Sequence, residues 1–154
     1  MNLGELIKKG GVFYDIEGTT PKEALCLLVS ALPPLKSVSP ELLLKAMLER
    51  EELMPTSIGN GVAIPHPRNP LIDNEDEQFA TLAFLKQPLD WNALDRKPVE
   101  AFILIVSASA KMHLQTLSRL TYFCRDEGFR KLLKNKASAD DIIKYINDTE
   151  AEWK

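Results

Sequence analysis

The chain contains only two histidines, His66 and His113, and each stands where an imidazole could do chemistry. His66 lies in Ile64-Pro65-His66-Pro67-Arg68, and a residue that precedes proline is pushed out of helical space into an extended conformation. With prolines on both sides the ring is carried on a stiff backbone, so little ordering entropy remains to be lost when a ring nitrogen meets its target. Imidazole serves as nucleophile, acid, base or ligand, and the local spacing does not choose among them; a histidine in a proline-rich surface turn can also be inert. Just upstream runs Thr56-Ser57-Ile58-Gly59-Asn60-Gly61. Glycine lets the main chain approach an anion and aim successive amides at it, and hydroxyls add donors, so Thr56, Ser57, Gly59, Asn60 and Gly61 read as a phosphate cradle. Gly-Asn-Gly also spells a tight turn.

Arg50, in Leu48-Glu49-Arg50-Glu51-Glu52, belongs to a solvated charged face unless the end of its helix points at His66. In that case its guanidinium clamps a phosphoryl group. His113 opens a predicted helix after a predicted strand, either as a capping or exposed residue or as a site residue. Sheets covered by helices gather ligand-contacting groups at strand C-terminal ends, where His66 and His113 would converge. Cys26 and Cys124 are 98 positions apart without CxxC or Cys/His ligand spacing, which reads as two buried free thiols rather than a disulfide scaffold or a zinc site. A metal site built from His66, His113 and a cysteine is the weakest reading, because zinc asks for three or four ligands with support behind them. No metal and no cofactor are implied.

These groups need elements to hold them. Thr20-Pro21-Lys22-Glu23 offers an N-cap, a proline at the first helical position and a capping-box glutamate, so a helix should run from Pro21 to Leu32 and stop at Pro33-Pro34. Ser39-Pro40 repeats the signal, and Leu43, Leu44, Met47 and Leu48 carry a second helix to about Leu53. Residues 55–70 break periodicity: a turn, a short strand over Val62–Ile64 and a rigid loop. Phe79–Leu85 and Val99–Val106 read as buried strands bounded by Pro88 and Pro98. A helix over Met112–Arg125, a short one over Phe129–Leu133 and one capped at Ser138 and reaching about Asn147 complete the chain. Val12–Ile16 is a strand or a turn. Mixed strands and helices predict an α/β domain with a sheet covered on both faces.

At 154 residues the expectation is a single domain over 1–154. Hydrophobic residues at 45% and charged ones at 27% suffice for a real core and exclude a disordered or collagen-like chain. A formal net charge of −3 argues against a partner held by phosphate-backbone neutralisation, so no nucleic acid is expected. The longest apolar runs, Ala24–Leu32 and Ala101–Val106, are too short to cross a bilayer, and the N-terminus lacks a secretory pattern, which predicts a cytoplasmic protein without membrane insertion.

The stretch Leu48-Glu49-Arg50-Glu51 followed by Thr56 through His66 closely resembles the active-site segment of the fructose/mannitol-type IIA proteins of the bacterial phosphoenolpyruvate:sugar phosphotransferase system (PTS). Its Gly-Asn-Gly form is similar to the nitrogen-regulatory (PtsN-like) branch. His113-Leu114-Gln115-Thr116-Leu117-Ser118 looks like that family's second histidine motif, and Asp90–Val99, with Leu94-Asp95 and Lys97-Pro98-Val99, resembles the segment leading into a later strand. The likeness spans about Phe13 to Ile146. It implies a three-layer α/β/α fold with a mixed sheet, and a phosphotransferase acting mainly as a regulatory phosphocarrier. In that role His66 accepts a phosphoryl group from an HPr-like carrier, with His113 as second active-site imidazole and Arg50 as stabilising cation. The regulated targets are left unnamed. The alternative is a regulatory binding domain that keeps the IIA fold without being phosphorylated. One departure matters: many members have Gly after the active histidine, and this chain has Pro67. Without that amide, donors must come from Arg68 or from the Gly59–Gly61 backbone.

Overall fold

The computed structural model describes residues 2–153. Six helices and five strands follow in the order α1 (Leu3–Gly10), β1 (Val12–Ile16), α2 (Pro21–Ala31), α3 (Pro40–Leu53), β2 (Ser57–Gly59), β3 (Val62–Ala63), β4 (Phe79–Leu89), β5 (Val99–Val106), α4 (Ala110–Arg125), α5 (Glu127–Lys134) and α6 (Ala139–Ala151), with a 3-10 turn at Glu75–Glu77. The cap residues act as their types require: the side chains of Thr20, Ser39 and Ser138 accept from the amides of Glu23, Leu42 and Asp141.

The strands form one mixed sheet in the order β1-β4-β5-β3-β2. β1 runs parallel to β4, β4 antiparallel to β5, β5 parallel to β3, and β3 antiparallel to β2. Both faces are buried, which is why β4 and β5 read as continuous apolar runs. Phe102, Leu104 and Val106 face a core closed by α2 and α3 through Leu25, Leu28, Leu43 and Met47. Ala101, Ile103 and Ile105 face the opposite core, where α1, α4, α5 and α6 contribute Leu3, Ile7, Phe123, Phe129 and Ile146. The architecture is the three-layer α/β/α sandwich with a mixed sheet.

The structure departs from the sequence pattern at several elements. α1 was not anticipated, although Asn2 and Glu5 form a reciprocal capping box and Leu3, Leu6 and Ile7 repeat at helical spacing. The open Val12–Ile16 segment is a strand at the sheet edge. β4 extends past Leu85 to Leu89, and Pro88 is tolerated because the ladder to β5 is interrupted between Phe84 and Leu89. α6 continues beyond Asn147 to Ala151. Cys124 is buried as expected, but Cys26 is exposed: Ala24, Leu25, Leu28 and Val29 take the inward stripe of α2 and leave position 26 on its outer side.

Gly10 ends α1 directly over the sheet, and a β-carbon there would collide with the Ala80 carbonyl and the Thr81 hydroxyl. Gly10→Ala should therefore destabilise the protein by about 1–3 kcal/mol, read as a lower urea midpoint at unchanged slope. An unchanged midpoint would show that α1 can lift off β4 freely.

Candidate active site

His66 lies just beyond the C-terminal end of β3, and its backbone is clamped from both sides. The Ile64 amide donates to the Thr56 carbonyl at 2.9 Å, and the Ile105 amide of β5 donates to the Pro65 carbonyl at 3.0 Å. His113 is reached by a different route: it sits in the first turn of α4, which follows β5 and is capped by Ser109. Because β3 and β5 are adjacent and parallel, their C-terminal ends open on the same edge, and the two rings meet with centroids 4.6 Å apart, tilted by 48°. The expected convergence is met.

His66 Nδ1 lies 2.7 Å from the Ile64 carbonyl oxygen. A carbonyl only accepts, so Nδ1 carries the proton and, in the neutral ring, Nε2 keeps its lone pair. Burial lowers the His66 pKa, the Ile64 bond opposes this, Arg50 lowers it further and Glu51 raises it. His113 is pushed down to about 4 by burial first, then by the charges of His66 and Arg50. Both rings are neutral at pH 7.

Arg50 occupies the last turn of α3, where Nη1 donates to the Met54 carbonyl at 2.7 Å and closes the helix end. Its charge acts on both imidazoles, so the α3 terminus does point at His66. Arg68, exposed on the loop after Pro67, lines two depressions at once: one of about 220 Å³ beside His113 and one of about 450 Å³ beside Arg50. Arg68 is thus shared by the depression that holds His113 and the one that holds Arg50, and the Arg50 charge reaches both paired imidazoles, an arrangement suited to holding a dianion against a ring nitrogen.

The phosphate-cradle reading fails for most of its residues. Asn60 and Gly61, both at positive φ (56° and 79°), are the central residues of a two-residue β2–β3 hairpin turn, so the tight-turn reading of Gly59-Asn60-Gly61 is the correct one. The turn sits at the far end of the hairpin from His66, on the order of 13 Å of extended chain away. There the Asn60 amide donates to Asp95. Thr56 is likewise committed elsewhere: its amide and hydroxyl both donate to the Glu51 carboxylate. Ser57 lies on β2 opposite Ala63.

Glu51 is a positioning residue that the sequence pattern did not single out. Besides binding Thr56 it accepts from Trp91 Nε1 at 3.1 Å, so one carboxylate staples the end of α3, which carries Arg50, to the strand pair that carries His66 and to the buried indole of the β4–β5 connection. Its position next to Arg50 in a charged run hid this role. Among the described residues no group of three or more His, Cys, Asp or Glu side chains could hold a metal ion. No helix among them is long and apolar enough to cross a membrane. The Cys124 thiol is pushed up to about 12 by burial and is inert at neutral pH.

Residues 5–149 match the family model described as phosphoenolpyruvate-dependent sugar phosphotransferase system, EIIA 2. The chain belongs to this family. It is 32% identical over 152 residues to the nitrogen regulatory protein of Escherichia coli K12, covering 97% of this chain and 92% of that protein. The crystal structure of nitrogen regulatory protein IIA-Ntr from Neisseria meningitidis superposes with a TM-score of 0.80 at 26% identity, covering 93% of this chain and 97% of the other. The same fold, at a TM-score of 0.67 and 23% identity, occurs in IIA mannitol of Escherichia coli in its complex with phosphorylated IIB mannitol, covering 89% of this chain and 94% of that one. The protein is a PtsN-like IIA domain with a PTS phosphotransfer and regulatory role.

A histidine held below its ordinary pKa of 6.5 binds fewer protons folded than unfolded, so its contribution to stability is present above pH 6.5 and is lost as pH falls toward the folded value of about 4 for His113. The urea midpoint should decline over that window, and His113→Gln should flatten the decline; an equally steep decline in the variant would place the titrating groups elsewhere. Glu51→Ala leaves the Trp91 and Thr56 donors unmatched and should cost about 1–3 kcal/mol. It should also remove the 4.6 Å ring pairing, seen as changed imidazole shifts in NMR spectra.

Proposed function

We propose that the protein accepts a phosphoryl group on His66 Nε2 from the phosphohistidine of an HPr-like carrier and that its phosphorylation state controls partner proteins, in the manner of a nitrogen-regulatory IIA protein. The observation that carries the reading is the 2.7 Å bond from Nδ1 to the Ile64 carbonyl, which leaves Nε2 as the nucleophile beside Arg50, Arg68 and His113. The Nε2 lone pair forms the new N–P bond while the donor's N–P bond breaks, and that electron pair returns to the donor ring. Such a transfer passes through a loose, in-line transition state that needs positioning and charge neutralisation more than covalent assistance. The His66 ring then carries positive charge across both nitrogens, and Nδ1–H donates more strongly to Ile64. Arg50 and Arg68 face the phosphoryl oxygens, Arg68 supplying the donor that Pro67 cannot. Neutral His113 gives one N–H at the positive end of α4.

The carrier needs a surface to dock on. Leu53 and Met54 beside Arg50 and Leu114 beside His113 are exposed at 63%, 66% and 66%. Leu53 lines the depression beside Arg50 and Leu114 the one beside His113, as the apolar contacts of a docking face for a small carrier would. The nitrogen-regulatory part rests on the similarity to the nitrogen regulatory proteins of Escherichia coli and Neisseria meningitidis. A IIB-type acceptor is a further partner, by analogy with the mannitol complex.

Incubation with phosphoenolpyruvate, the first enzyme of the system and an HPr-type carrier should place an acid-labile phosphate on the wild type and none on His66→Ala. Arg50→Ala, Arg68→Ala and His113→Ala should still be labelled, with rates about 10²–10³ lower when a transition-state donor is lost. Because attack needs neutral His66 and its pKa lies below 6.5, the labelling rate should be level above that pH and fall beneath it. An unlabelled wild type with an active carrier, together with a His66→Ala variant that still regulates its partner, would instead favour the regulatory domain that works without phosphate.

A further inference from the structure

At the opposite end of β3 and β5 from the histidines lies a cavity of about 640 Å³ that the phosphotransfer reading does not use. Four cations face it: Lys97 from the segment entering β5, and Arg130, Lys131 and Lys134 from α5. Two carboxylates, Glu100 and Glu127, share the lining, leaving a positive excess in a chain whose formal charge is −3. None of the four cations takes part in an ion pair among the described residues, where the pairs are Lys86–Glu17, Arg119–Glu150 and Lys144–Asp148.

The cavity is built rather than incidental. The Asp95 carboxylate accepts from the Asn60 amide at 3.0 Å and from the Lys97 amide at 3.0 Å, tying the Lys97 segment to the hairpin tip. The Gly61 carbonyl accepts from the Glu100 and Ala101 amides at 2.8 and 3.2 Å, tying that tip to β5. Across the gap, Phe129 is fully buried and anchors α5. The macrodipole of α5 favours Lys131 and Lys134 in its last turn. It does not explain Arg130, which repels Lys134 at i,i+4, nor a fourth cation arriving from another element. Buried Val62 and Ala101 give the floor an apolar strip. The volume is that of an ordinary small-molecule site.

We propose that this cavity binds a small organic polyphosphate of nucleotide size, its phosphates held by Lys97, Arg130, Lys131 and Lys134 and its apolar part over Val62 and Ala101. The site goes beyond phosphotransfer at His66 and does not depend on it. Since Lys97 leads into β5 and the hairpin leads through β3 to His66, a ligand here touches the two strands that position both imidazoles.

The test is an NMR titration of the full chain with ADP, and separately with inorganic pyrophosphate. Saturable amide shifts confined to residues 60–62, 97–101 and 127–134 are expected, tighter for ADP than for pyrophosphate. Affinity should weaken by about tenfold or more in Lys97→Gln/Lys134→Gln, each lost cation removing a charge-assisted contact. Both substituted residues are exposed, and an unchanged melting curve checks that the variant is folded. His66→Ala should bind as the wild type does, which separates this proposal from the phosphotransfer reading. No saturation by about 10 mM ADP, undiminished affinity in the double variant, or shifts centred on residues 50, 66 and 113 would overturn it. Pyrophosphate binding as tightly as ADP would overturn the assignment to an organic ligand.

Discussion

The parallel pairing of β3 with β5 is the constraint on which the site depends. β3 is two residues long, Val62 and Ala63, and would have no stability by itself; it exists because β2 and β5 bond it from either side. Once it is held there, the extended Ile64-Pro65-His66 segment continues along the same line, with Thr56 and Ile105 as its hydrogen-bond partners. β5 leads its own chain to the same edge and into α4, which delivers His113. Two rings separated by 47 positions become neighbours because two strands share a direction.

The electrostatics follow from that placement. Half-buried imidazoles lose solvation, so the charged forms are disfavoured, and a guanidinium acting on both rings pushes in the same direction. Neutral rings beside a guanidinium held at the end of α3 are the opposite of a self-neutralised site: they leave positive charge uncommitted and lone pairs available. Such a surface is complementary to an incoming dianion. The Glu51 carboxylate, consumed by Thr56 and Trp91, ties the end of α3 that carries Arg50 to the strand pair that carries His66.

The Gly-Asn-Gly turn shows how a motif can be right in kind and misplaced in space. Its residues have the backbone freedom that an anion cradle needs, with positive φ at Gly59, Asn60 and Gly61, but the hairpin they close reverses direction away from His66. A linear distance of five residues between Gly61 and His66 invites the assumption of proximity. In a strand the same interval is a separation on the order of 16 Å. Pro67 has no amide hydrogen to offer, and the next residue, Arg68, lines both the depression beside His113 and the one beside Arg50.

The sequence by itself determined the proline-framed histidine, the caps at Thr20, Ser39 and Ser138, the buried strands Phe79–Leu85 and Val99–Val106 and the layered α/β class, because each rests on local backbone chemistry or on periodic burial of apolar side chains. The motif around His66 also made the family legible. Tertiary structure alone decided that His113 and Arg50 face His66, that Thr56 serves Glu51, that the Gly-Asn-Gly turn lies at the other end of the sheet, and that Lys97 joins the cations of α5. Those relations depend on strand order and direction, and hydrogen bonds between strands distant in the chain leave no periodic mark on the residues that make them.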